Sequence, residues 1–224
     1  MVSEASATPA DHALDQLVTG LDHLVKVVED GGLDHYDDLQ FIGFVQAFER
    51  VRNRMPLIDH RIVGDGEARR IADVWTQPNL SRVLVSALRI SSAEANRRVR
   101  AAEAVAARIS LTGEPLEPRR PVLAAAQRAG EVTPEQVHLI QRALYGVDRP
   151  GFDPADIAVG EQLLTAQAAT FEPKVLAQLA DQVVAAIDPD GTLPDDRLNS
   201  DRRHLSMRST RAGAYVGEFR LTEY

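Results

Sequence analysis

The chain has 224 residues and no cysteine, which leaves room for a sizeable core and removes disulfide frameworks, cysteine zinc sites and thiol chemistry together. No run approaches the ~18–20 apolar residues of a membrane span. The opening MVSEASATPADHALDQL also lacks a basic segment followed by an apolar one, so the expectation is a cytoplasmic chain with no membrane partner. The formal net charge of -8 is uneven: residues 1–45 hold nine acidic groups and one basic, 46–110 twelve basic and seven acidic, and 111–224 twelve basic and seventeen acidic. A basic middle therefore lies between acidic flanks. Only Lys26 and Lys174 among the 25 basic residues are lysine, a compositional bias that discounts any argument from arginine alone.

Residues 1–10 are small and polar with Pro9, and a disordered tail is expected there. From Asp11, Leu14, Leu17, Val18, Leu21, Leu24, Val25 and Val28 recur at three- and four-residue steps, the pattern of an amphipathic helix stopped by Gly31-Gly32. Tyr36 to about Ile71 reads as a longer helical region that Pro56 kinks or splits, with Gly64 and Gly66 weakening its far end. Trp75 is read as a core or inter-helix plug. Thr76-Gln77-Pro78-Asn79 forms a turn and N-cap opening a helix through Arg89. Ser91-x-x-Glu94 has the form of a capping box leading into a helix that runs to about Ile109.

A proline-rich connector follows (Gly113, Pro115, Pro118, Pro121), then a second short-turn pair, Val122–Arg128 and Pro134–Leu144. The two pairs, VLVSALRISSAEANRRVRAAEAV and VLAAAQRAGEVTPEQVHLIQRAL, share a Val-Leu start, a seven-residue first arm and a polar turn. Helices over about Pro154–Ala169 and Pro173–Ile187 each carry a proline in the first turn, and Asp188-Pro-Asp-Gly191 ends the last. Alternation around Thr210-Arg-Ala-Gly213 reads as a hairpin, a unit marginal in water by itself. The fold class is mostly α: an irregular multi-helix bundle over 11–200, with a helix-turn-helix-like pair and a C-terminal β-hairpin over 201–224.

The stretches FERVRNRMPLIDHRIV (48–63), RVLVSALRISSAEANRRVRAAEAV (82–105), GEPLEPRRPVLAAAQRAGEVTPEQV (113–137), GEQLLTAQAATFEPKVLAQLADQVVAAIDPDGTLPD (160–195) and RRHLSMRSTRAGAYVGEFRLT (202–222) carry a resemblance. They resemble the actinobacterial 13E12 repeat family, whose conserved region is a domain of unknown function numbered two-two-two and commonly precedes an HNH endonuclease module. The resemblance implies association with mobile elements. It runs to Thr222 and no nuclease module follows, so the expectation is a truncated relative that is not an enzyme.

The constellation richest in chemistry is 83–100. Val85, Leu88, Ile90, Ala95 and Val99 form the internal set that helix-turn-helix grammar needs. They place Ser92, Ala93, Asn96, Arg97 and Arg100 outward, flanked by Arg89 and Arg98. Arginine can bridge guanine edges, asparagine can bridge adenine, and serine with helix N-terminal amides can hold a phosphate. The candidate nucleic-acid residues are therefore Arg89, Ser92, Asn96, Arg97, Arg98 and Arg100, with duplex DNA as the partner. Against this stand Arg89 at a turn position where glycine is usual and a plain solvated arginine face as the bland account. Arg50, Arg52, Arg54, Arg61, Arg69 and Arg70 form a second basic run, largely explained by pairing with Glu49 and Asp59.

No catalytic, metal or cofactor site is expected. The six histidines, His12, His23, His35, His60, His138 and His204, fall in no i, i+4 pair, and His138 reads as a packed or rim residue. Asp188–Gly191 lacks the remaining ligands of a calcium loop, and no P-loop, G-x-S-x-G or dinucleotide fingerprint occurs. An aromatic content of 5% disfavours single-strand binding, which stacks bases on exposed rings. The alternative function is a helical interaction or dimerisation module with no nucleic-acid contact, its partner a second copy or a related full-length family member.

Overall fold

The computed structural model describes residues 8–109, 112, 114–189, 204–209 and 215–220. It is mostly helical, as the periodicity requires, and divides into two units, Met1–Arg52 and Asn53–Tyr224.

In the first unit, α1 (Pro9–Glu29) opens on a reciprocal cap: Thr8 N–H donates to Asp11 Oδ2 at 2.7 Å, while Asp11 N–H donates to Thr8 Oγ1. Proline at the first helical position costs no hydrogen bond, because that N–H has no intrahelical acceptor. The helix thus starts two residues before Asp11, inside the stretch expected as tail; residues 1–7 lie outside the described residues. It stops where Gly31 turns left-handed at φ 84°, a conformation glycine adopts without a Cβ penalty. Next, α2 (Asp38–Arg54) is capped by Asp37, whose carboxylate accepts from Gln40 N–H at 2.8 Å. Tyr36 meets Phe44 edge-on at 6.2 Å, and Phe44 stacks on Phe48 at 6.5 Å.

In the second unit, Pro56 is the first residue of α3 (Pro56–Ala68), so the long region expected over 36–71 is split rather than kinked. Gly64 and Gly66 both stay helical. A Cβ on Gly66 would lie 3.1 Å from Leu80 Cδ1, and this close approach lets α3 pack on the helix that begins at Leu80. The single turn α4 (Ile71–Val74) is entered through Arg70 at φ 53° and followed by Thr76 at φ 52°. That reversal leaves Trp75 at the end of the turn and 50% exposed, not the plug expected. Asn79 caps α5 (Leu80–Leu88) by accepting from Arg82 N–H at 3.0 Å. After it, α6 (Ser92–Val105) ends four residues short of Ile109, because Arg108–Ile109 peels away as β1 and pairs antiparallel with β2 (Pro115–Leu116).

The remaining helices are α7 (Pro121–Ala129), α8 (Pro134–Tyr145), α9 (Pro154–Ala168) and α10 (Pro173–Ile187). Each carries proline in its first turn. They surround Leu123, Ile140, Leu144, Leu164 and Leu176, all fully buried. Two side chains of this core bond across helices: Val122 and Leu123 N–H donate to Glu161 Oε1 at 2.8 and 3.0 Å. Gln136 Nε2 donates to Ala168 O at 2.6 Å. Burial pushes the Glu161 carboxyl up, against the pull of those two amides and of Arg120.

The C-terminal hairpin expected over 201–224 is not supported as an element of the fold. Two strands, β3 (His204–Ser209) and β4 (Tyr215–Arg220), are aligned antiparallel in backbone register. Their intervening turn lies outside the described residues.

Candidate nucleic-acid interface

The pair α5–α6 is joined by three residues, Arg89, Ile90 and Ser91. Arg89 lies in the left-handed region at φ 56° and ψ 34°, the conformation that reverses a chain between two helices and that glycine usually supplies. An arginine there bears a Cβ strain of roughly 1–2 kcal/mol. Ser91 caps α6 by accepting from Glu94 N–H at 3.1 Å. The reciprocal half of the expected capping box is redirected: Glu94 Oε2 accepts from Arg97 Nη2 at 2.6 Å, and Oε1 from Arg98 Nε at 3.0 Å. These two guanidinium groups hold the Glu94 carboxyl below its ordinary range.

The buried face of the pair is sound, though shifted from the expected set. Val63 of α3 packs with Leu80, Val83 and Leu84 of α5 and with Ala95 and Ala102 of α6, while Val85, Ile90 and Val99 are half-buried against them. Leu88 is instead 50% exposed, because α5 ends there and the left-handed Arg89 turns the chain away. α3 packs against the pair and braces it through Val63.

Of the six candidate residues, Arg89, Ser92, Asn96, Arg97 and Arg100 are exposed. Arg98 is not part of that face. Its side chain is 30% exposed and reaches inward to Asp59 Oδ1 of α3 at 3.5 Å as well as to Glu94. The sequence missed this because Asp59 lies 39 positions away. The outward face is also less basic than its letters imply. Arg97 is engaged with Glu94, and Arg100 lines a shallow groove with Asn96, Glu67, Glu103 and Tyr145.

Behind Arg97 and Arg98 lies a cavity of about 550 Å³ lined in part by Asp59, His60, Glu94, Gln127 and His138. His60, 4% exposed, donates from Nε2 to Gln127 Oε1 at 2.9 Å, since a carbonyl oxygen can only accept. Burial holds the imidazole below its ordinary pKa, opposed by the Gln127 bond and by Asp59. His138 is depressed as well, first by burial and then by Arg142, Arg97 and Arg100. No local spacing announced the His60–Gln127 bond, whose partners are 67 positions apart. Among the described residues no three His, Asp or Glu side chains converge to hold a metal ion, and no helix is long and apolar enough to cross a membrane.

The second pair, α7–α8, also turns through a left-handed residue, Gly130 at φ 79°, and its Thr133 caps α8 with a complete box. The likeness of the two sequences thus has a structural counterpart. Their outer helices differ in exposure: α8 buries Gln136, Val137, Ile140, Gln141 and Leu144, whereas α6 leaves its 92–100 face largely open.

The chain is similar to several mycobacterial proteins. An uncharacterized protein of Mycobacterium tuberculosis (strain CDC 1551 / Oshkosh) is 32% identical over 202 residues, which cover 85% of this chain and 41% of that protein. A second from the same strain is 30% identical over 168 residues, 74% of this chain and 39% of its own length. One from Mycobacterium bovis is 30% identical over 168 residues, 75% and 36% respectively. The chain therefore spans about two fifths of the length of these relatives. No solved structure matches it. The model of the domain of unknown function DUF222 matches residues 43–214, from within α2 through both cores, and the chain belongs to that family.

Proposed function

We propose that this chain engages duplex DNA through α5–α6. In this reading it is an accessory, non-cutting region of the 13E12 repeat kind, associated with an HNH endonuclease of mobile elements and acting in the cytoplasm. One observation carries the DNA reading. A 14-residue helix follows a three-residue turn, is braced by α3 and α5 on its alanine face, and presents Ser92, Asn96, Arg97 and Arg100 on the other. Such a helix can enter the major groove with its N-terminal residues toward base edges. The HNH and mobile-element context rests on the sequence resemblance.

The test is fluorescence anisotropy of the purified chain on mixed duplex DNA across a salt series, beside the Arg97→Ala/Arg100→Ala variant. Binding that weakens steeply with salt, and more shallowly in the variant, is expected, because each phosphate contact releases counterions. Absence of binding at low salt would overturn the proposal. It would leave the arginine face as solvated surface and a helical interaction module as the account.

A further inference from the structure

The strongest unexplained feature lies in the first unit. No residue of α1 is buried, and α2 buries only Asn53 near its end. Yet α1 carries a seam, Leu14, Leu17, Leu21, Leu24 and Val28, at alternating steps of three and four, the 3.5-residue repeat by which one helix packs on another. All of them but Leu24, which is half-buried, are 39–59% exposed. A helix in water draws most of its stability from packing such a face, so a 21-residue helix with this seam uncovered is missing a partner.

We infer that α1 and α2 form a self-association surface, covered by the same two helices of a second copy of this chain. The first argument is area. Thirteen apolar side chains of α1 and α2 are 38–85% exposed, offering on the order of 1,000 Å² per copy, so a pair that covers most of them buries ~2,000 Å², the size of a permanent homodimer interface. Charge is the second. Along α1, Asp11, Asp15, Asp22 and Glu29 outnumber Lys26, whereas at the far end of α2 Arg50, Arg52 and Arg54 outnumber Glu49. A second copy brings both signs, and the acidic α1 of one can run beside the basic end of α2 of the other. An anionic membrane, the other common cover for an amphipathic helix, attracts basic polar faces, and α1 presents an acidic one. This inference is independent of the DNA-binding reading.

Sedimentation equilibrium of the full chain is the test, run up to roughly 100 µM, above the micromolar constants of even weak interfaces of this size. The expected result is twice the 24.5 kDa chain mass, falling to the single-chain mass in Leu17→Asp/Leu21→Asp. Because neither leucine is buried in the single chain, that variant is expected to keep the folded second unit. The independent variant Phe41→Asp/Phe48→Asp is expected to dissociate in the same way. A wild-type chain that stays monomeric at the highest concentration overturns the inference, as does a dimer that survives both variants.

Discussion

Arg100→Ala and Arg98→Ala, two substitutions of one residue type two positions apart on α6, separate an outward arginine from one that ties two helices together. Arg100 is exposed, whereas Arg98 ties α6 to α3 through Glu94 at 3.0 Å and Asp59 at 3.5 Å. If Arg100 contacts a phosphate, its loss reduces the salt slope by about 0.9, which over a fourfold change in salt amounts to roughly a 3- to 4-fold difference in affinity. Its effect on stability should be negligible. Arg98→Ala should leave the slope alone and cost ~0.5–1 kcal/mol of stability, the range of a partly exposed ion pair. For a chain of this length that is a fall of about 2–4 °C in Tm at most. Anisotropy and thermal melts on both variants give the two readouts. NMR titration of His138 gives a third: Arg100 depresses that imidazole and Arg98 is not among its causes, so only Arg100→Ala should raise it. Equal losses of salt slope in the two variants would refute the division of α6 into an outward and an inward face.

Two further outcomes follow from the buried polar groups. Glu161→Ala strands two amides at the start of α7 and should cost ~2–6 kcal/mol in urea unfolding, at ~1–3 kcal/mol per orphaned donor. Glu161→Gln keeps an acceptor and removes the buried charge, so it should change stability by less than about 1 kcal/mol; equal losses in the two would show that the charge, not the acceptor, matters. Because burial raises the folded pKa of Glu161, the folded state holds the proton more tightly. Its contribution is fully present below the unfolded carboxyl pKa and is lost as pH rises through the folded value. His60 runs the other way. Its folded pKa is lowered, so the stability it confers is present above about 6.5 and lost as pH falls toward the folded value. Urea midpoints at pH 7.5 and 5.5 should therefore diverge more in the wild type than in His60→Gln, and identical divergence would sink that assignment.

The helices were legible because their signals are local. Prolines at first-turn positions 56, 154 and 173, the cap residues Asn79 and Ser91, and three- and four-residue apolar steps fix elements without reference to the rest of the chain. What was not legible depends on partners far along the chain. Trp75 looked like a plug by residue type, but its exposure is set by the left-handed Thr76 beside it. Arg98 looked like a member of the basic face, but Asp59 draws it inward. The end of α6 is not legible locally, because β1 competes for Arg108 and Ile109 only once Pro115 and Leu116 are positioned opposite them.

The two short-turn pairs show how one local grammar supports different roles. Both have an apolar first arm, a left-handed turn residue and a side-chain cap. In α7–α8 the turn residue is Gly130, which costs nothing at positive φ, and α8 carries Val137, Ile140 and Leu144 to zero exposure on one side. It also spends Gln136 on the carbonyls of Ala168 and Phe171, which commits that side chain to the interior. The turn residue of α5–α6 is Arg89, which accepts strain where glycine would not and keeps a guanidinium at the mouth of the turn. Relief of that strain makes Arg89→Gly stabilising, by ~0.5–1 kcal/mol after the greater unfolded-state freedom of glycine is deducted. If the guanidinium contacts DNA, the same variant should bind more weakly although it folds more tightly. Stability and affinity moving in opposite directions is a signature that a merely solvated arginine would not produce.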